Sequence, residues 1–174
     1  FNVKGIDFTF SGAPQNNTIF ENGETNLNFG VTENISSGTS YEMKYVYVSG
    51  DGLINNGSIQ QGANIWYPVS TGGFNRSFVG TRTGKVSILF TVRNKTTLVE
   101  KTSIVNLEVN TSIFTFNATA TNNNQIVKTP VNVNLNVQQV GGGNNVYNLR
   151  FTTSGTGVFV YNGINYTAGE SIPL

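Results

Sequence analysis

The chain has 174 residues, 10 Lys and Arg against 9 Asp and Glu, and neither Cys nor His. Disulfides, thiolate metal sites, thiol nucleophiles, imidazole bases and His-dependent triads are therefore excluded by counting, and no metal or cofactor is expected. A formal charge of +1 supplies no field for gripping nucleic acid or an anionic bilayer, and no stretch reads as a membrane-spanning segment.

Asn occurs 26 times, Thr 21 and Gly 20. Asn and Gly suit turns, whereas Thr, Tyr, Phe, Val and Ile suit pleated, half-buried surfaces. The chain opens on Phe1 without a basic-then-apolar leader, as a cleaved precursor or an excised fragment would. Apolar residues alternate with a period of two along the whole length, the pattern of strands with one buried face. Ile6, Phe8 and Phe10 point one way, then Leu27, Phe29 and Val31, then Tyr41, Met43, Tyr45 and Tyr47. Val86, Ile88, Phe90 and Val92 form a further run, followed by Leu98, Ile104 and Leu107. Turn residues cluster at 12–17, 36–40, 49–52, 55–58 and 71–75. No helical periodicity survives the intruding Gly and Asn, so the expected class is all-β, an antiparallel sandwich.

An internal repeat is the strongest organisational signal. Phe8-Thr9-Phe10 recurs as Phe114-Thr115-Phe116, a shift of 106. The same shift carries Leu27, Phe29 and Val31 onto Val133, Leu135 and Val137, and Tyr41, Met43, Lys44 and Tyr45 onto Tyr147, Leu149, Arg150 and Phe151. One residue is then lost, and at a shift of 105 Leu53, Ile59, Pro68 and Val69 meet Val158, Ile164, Pro173 and Leu174. The pleat phase is kept throughout, whereas a slip of one would turn every apolar residue outward. Two tandem immunoglobulin-like sandwiches are therefore expected, at 1–110 and 111–174. The second lacks a counterpart to residues 70–109. Residues 111–174 carry only Lys128, Arg150 and Glu170 as charges, so that a half sandwich there would expose edges and a core face. Either the chain continues past Leu174, the favoured expectation, or another chain adds strands to 111–174.

A set of residues in the first repeat carries a family resemblance. Phe1 opens a strand and Gly23-Glu24 precedes Leu27; Tyr41-Glu42-Met43-Lys44-Tyr45 leads to Gly50-Asp51-Gly52-Leu53. Asn64 with Tyr67, Phe74, and Ile88 with Val92-Arg93-Asn94 follow. This resembles the TraQ-type conjugal-transfer proteins of Bacteroides-group conjugative transposons, over domain one and the opening of domain two. The resemblance implies an immunoglobulin-like module linked to DNA transfer between cells, with no known catalytic residue. The tandem copies depart from the single domain of that family.

Candidate sites are few. Gly50-Asp51-Gly52 precedes no helix, so it reads as a hairpin turn needing φ > 0 and not as a phosphate cradle. Asp51 is replaced by Thr156 in the second repeat, which leaves no repeated calcium site. Glu21 and Glu24 form a near pair at a strand entry, but Val127 and Pro130 stand in their places in the second copy. With no nucleophile elbow either, an enzyme is not expected. Arg76, Arg82, Lys85, Arg93, Lys95 and Lys101 gather in one segment, with Arg93 and Lys95 assigned to a turn. If they shared a face, that face could meet acidic glycans. Trp66, present in one copy only, is a candidate platform for sugar or partner contact, whereas Tyr67, Tyr41 and Tyr147 read as packing residues. Eight Asn-x-Ser/Thr triplets are close to what this Asn content yields by chance.

The contact candidates are thus Trp66, Arg76, Arg82 and Lys85. The expected role is a non-catalytic structural or attachment module of a longer extracellular, cell-surface or virion protein, such as a fibre, spike or adhesin. Its expected partners are other proteins or neighbouring copies, and cell-surface glycan is a further candidate. Accessory work in conjugative transfer and glycan binding stand as the alternatives.

Overall fold

The computed structural model describes residues 7–35, 38–122, 124, 126, 128–141 and 145–174, and every regular element among them is a strand. Ile6 and Phe1, which the sequence places on the first strand, and part of the turn at 36–40 lie outside the described residues.

Ten strands between Phe8 and Asn110 build two sheets. The first has the order β1 (Phe8–Pro14), β3 (Glu24–Glu33), β8 (Gly72–Val79), β5 (Leu53–Asn56) and β6 (Ile59–Gln61). The second has the order β2 (Thr18–Phe20), β10 (Glu100–Asn110), β9 (Gly84–Asn94), β4 (Tyr41–Ser49) and β7 (Tyr67–Val69). All pairings are antiparallel except β2 on β10, which is parallel. Alternation decides what faces in: Leu27, Phe29 and Val31 of β3 meet Val86, Ile88, Phe90 and Val92 of β9 in one core. Rings cross the interface, with Phe29 and Phe90 centroids 4.7 Å apart and Phe8 edge-on to Tyr41 at 4.9 Å. The all-β sandwich expected from the pattern is present.

Three local readings change. Residues 12–14 and 72–75, expected as turns, continue β1 and begin β8, because each lies opposite β3 in an unbroken ladder. Gly12 is needed there: a Cβ would stand 2.6 Å from the Phe29 ring. On β10 the buried side chains are Val105, Leu107 and Val109, while Ile104 is exposed, so the phase at its start is one residue off the expectation. Arg93 sits on β9 opposite Glu42, not in the following turn.

Three pairings in residues 111–174 correspond to three among the first ten strands. β11 (Ile113–Ala120) runs antiparallel to β12 (Val133–Val140), with Phe116 opposite Val137 as Phe10 is opposite Val31. β13 (Asn148–Leu149) pairs β16 (Ile172–Pro173), with Leu149 opposite Ile172 as Met43 is opposite Tyr67. β14 (Phe159–Tyr161) pairs β15 (Ile164–Tyr166), and its three residue pairs are those of β5 and β6 displaced by 105. Irregular backbone bonds recur too. Gln15 N–H to Asn26 C=O becomes Thr121 to Asn132, and Asn64 to Tyr45 becomes Gly169 to Phe151.

Chain contacts divide the molecule into two compact units, Phe1–Gly143 and Asn144–Leu174. The repeat boundary near residue 110 thus lies within the first unit. Inside that unit, Ser112 Oγ donates to the Glu21 carbonyl at 3.2 Å, and Gly141 lies so near Phe20 that a Cβ would be 2.1 Å from its ring.

Candidate functional site

Trp66 stands one residue before β7, the edge strand beside β4. β4 and β9 alternate Lys44 and Arg93 away from the core, and both cations reach the indole. The Arg93 guanidinium carbon is 4.2 Å from the ring centroid and Lys44 Nζ is 4.7 Å away. Arg93 is itself fixed by Glu42, directly across the ladder: its Nε donates to Glu42 Oε1 at 2.9 Å, and a second guanidinium nitrogen donates to the same oxygen. Trp66 is half-buried in this stack, so its π-system is already engaged by cations of its own chain. The sequence offered Trp66 as a platform, but not these two neighbours, which outward alternation on β4 and β9 could have supplied.

Arg82 and Lys85 flank the β8–β9 turn. Arg82 pairs with Asp51 at 3.2 Å, both side chains largely in water. Lys85 stands opposite Glu108 on β10. A depression of about 200 Å³ is bounded by Asp51, Arg82, Thr83 and Lys85. A larger one, of about 430 Å³, adjoins it through Lys85 and Val86 and is lined by Ser49, Ser87, Asn106 and Glu108. Each basic residue here has a carboxylate nearby, so the charges cancel locally and no cationic patch forms. The turn before β5 has the positive φ expected at Gly50, +69°, where a Cβ would stand 2.7 Å from the Lys85 carbonyl, but it carries the chain from one sheet to the other and is not the hairpin the sequence suggests.

Arg76 is in a different place from the other contact candidates. It lies on β8 opposite Leu27, on the inward face, and is 6% exposed. Its Nε donates to Gln61 Oε1 at 3.0 Å, another of its nitrogens donates to the Asn75 carbonyl at 2.7 Å, and the guanidinium lies over Phe74. Burial pushes its pKa down from the ordinary value. Arg76 therefore ties β8 to β6 and is not presented to a surface ligand. The six basic residues of 76–101 do not share a face: Arg76 points in, Arg93 joins Trp66, and Lys101 of β10 reaches Asp7 at 3.2 Å.

Tyr41 is buried, and burial followed by its bond to Glu33, at 2.8 Å, raises its pKa. Tyr47 is half-buried with a hydroxyl that meets no hydrogen-bond partner among the described residues, and burial pushes its pKa up strongly. No group of three or more residues able to hold a metal occurs among the described residues.

No protein-family model matches the chain, and no curated protein matches it. Solved structures do. A solution structure of a conjugate transposon protein from Bacteroides vulgatus aligns with a TM-score of 0.50 at 13% identity, over 62% of this chain and 89% of that one. A solution structure of a lipoprotein from Bacteroides thetaiotaomicron aligns at 0.50 and 11% identity, over 62% and 85%. A crystal structure of a conjugative transposon lipoprotein from Bacteroides eggerthii aligns at 0.47 and 15%, over 58% and 96%. Some 62% of this chain thus shares its fold with the Bacteroides vulgatus conjugate transposon protein, in agreement with the family resemblance seen in the sequence.

Proposed function

We propose that the chain is a non-catalytic accessory module of a conjugative transfer apparatus, working at the cell surface by binding other proteins. The observation that carries this is the fold shared with the Bacteroides vulgatus conjugate transposon protein, which that likeness nearly spans. Because fold alone does not carry function, the site chemistry has to agree. The depressions offer mixed polar and apolar surface for association: Arg82 is paired with Asp51 beside the smaller one, and Val86 and Leu107 line the larger with Ser49, Ser87 and Asn106. The related lipoprotein from Bacteroides thetaiotaomicron favours a surface location over a virion. A fibre or spike rests only on the duplication, and a glycan platform at Trp66 competes with Lys44 and Arg93 for the same ring.

Deleting the coding sequence from a donor cell and measuring transfer frequency tests the reading. Transfer should fall at least tenfold and recover on complementation. Unchanged transfer would overturn it.

A further inference from the structure

Asn-Gly occurs at 22–23, 56–57 and 162–163, and the asparagine of each pair is exposed. Such a step is open to attack on its own side chain, because glycine has no Cβ to shield its amide nitrogen or restrict its backbone. By sequence and exposure the three are equivalent. The backbone around them is not.

Asn22-Gly23 is clamped. Asn22 N–H donates to the Gly80 carbonyl at 2.7 Å, and Gly23 N–H donates to the Phe20 carbonyl at 2.8 Å. The Gly23 carbonyl in turn accepts from Gly80 N–H at 3.1 Å. The nitrogen that would attack is already engaged, and the peptide cannot swing towards the side chain without breaking these bonds. The other two steps lie at hairpin turns. Asn56 ends β5 opposite Ile59, and Asn162-Gly163 is the two-residue loop between Tyr161 and Ile164. Gly57 and Gly163 have φ of +60° and +78°, and a Cβ on either would meet nothing within 4 Å. Among the described residues, neither glycine's N–H donates to a carbonyl outside the ladders, and neither glycine belongs to a ladder.

We propose that Asn56 and Asn162 are sites of spontaneous deamidation, and that the backbone clamp protects Asn22 from it. The glycine nitrogen, once its proton has passed to hydroxide, attacks Cγ of the preceding asparagine. The new N–Cγ bond closes a succinimide while the Cγ–Nδ2 bond breaks, and Nδ2 takes a proton from water and leaves as ammonia. Water then opens the ring at one of its two carbonyls, giving aspartate or isoaspartate. Either product adds one negative charge, so conversion of both residues reverses the formal net charge of +1. Isoaspartate at 56 also lengthens the main chain at the end of the hairpin that carries Gln61 to Arg76. The proposal does not depend on a role in conjugation.

The test incubates the intact 174-residue chain in mildly alkaline water enriched in heavy oxygen, and maps its peptides by mass spectrometry. Amide hydrogen exchange is followed in parallel. In the folded chain Asn56 and Asn162 should convert at least about tenfold faster than Asn22, with heavy oxygen in the products. The Gly23 amide should exchange at least about tenfold more slowly than those of Gly57 and Gly163. In denaturant the three asparagines should convert at similar rates. Conversion of Asn56 and Asn162 no faster than Asn22 in the folded chain would overturn the proposal, as would equal exchange at the three glycines. So would an Asn22 that stays slow in denaturant, because the backbone bonds would then not be what protects it.

Discussion

Residues 7–110 and 111–174 match in local strand pairing and differ in burial. They share strand pairs, registers and even the positions of left-handed turns: Asn22 and Gly57 have φ of +61° and +60°, and their counterparts Lys128 and Asn162 have +68° and +50°. They differ in β8, β9 and β10, which only the first repeat has among the described residues. The contrast separates what local sequence does from what packing does. Alternation and turn chemistry are enough to set hairpin register, whereas the broad core of the first repeat comes from its second layer; of the described hydrophobic residues in 111–174, Ile172 is the one that is buried. The first repeat's inward rings therefore contribute to stability in a way that the same positions of the second cannot.

Truncating matched positions gives the largest expected difference. Phe29→Ala removes a 4% exposed ring packed on Phe90 and should cost about 3–5 kcal/mol in chemical denaturation. Leu135→Ala, its counterpart, should cost less than about 1 kcal/mol, because half-exposed side chains lose little on truncation. Equal costs at the two positions would mean that the second repeat has a core of its own. The sequence alone treats Phe29 and Leu135 as equivalent, and only the layer opposite distinguishes them.

Arg76 tests how β8 is held against β6. Arg76→Ala strands the Gln61 carboxamide and opens a void, at a cost of about 2–3 kcal/mol. Arg76→Met fills the space without a buried charge and should lie within about 1 kcal/mol of the parent. If both cost the same, the hydrogen bond to Gln61, and not volume, dominates.

Much of this was legible in the residues. The all-β class, the run from Tyr41 to Tyr45 and the positive φ at Gly50 rest on period-two alternation and on glycine, which are local signals. The one-residue gap in the repeat coincides with the region where β4 shifts register on β9, between Tyr47 and Ser49. The misread pieces share another cause. Gly12 and Gly72-Gly73 look like turns because they are glycines, yet each lies within the ladder opposite β3. Arg76 looks like surface because it is charged, and its burial depends on Gln61, 15 residues away on another strand. The cations on Trp66 come from β4 and β9: alternation marks both as outward-facing, and sheet order brings them to the same ring.

The matched glycines should separate the repeats by a smaller amount. Gly50→Ala forces a Cβ at φ of +69° and 2.7 Å from the Lys85 carbonyl, and should cost about 1–3 kcal/mol. Gly155→Ala meets nothing within 4 Å and should change stability by less than about 0.5 kcal/mol. A cost at Gly155 comparable to that at Gly50 would place a neighbouring strand over the second turn as well.

The smallest effect concerns Asp7, which precedes β1 and reaches across to Lys101 on β10. Asp7 accepts the Phe8 N–H at 2.9 Å, and that bond, followed by Lys101, holds its carboxyl below the ordinary carboxylate value. A depressed carboxylate contributes stability that is present above its unfolded pKa and is lost as pH falls through its folded pKa. Asp7→Asn should therefore lower the denaturation midpoint slightly at pH 7, by less than the other substitutions, because the carboxyl stands in solvent and salt screens the pair. The gap between parent and variant should narrow as pH drops below about 4 and should also shrink in molar salt. A gap that persists at pH 2 would assign the effect to the amide's own hydrogen bonding at the head of β1, and would remove the Asp7–Lys101 pair from what sets the two repeats apart.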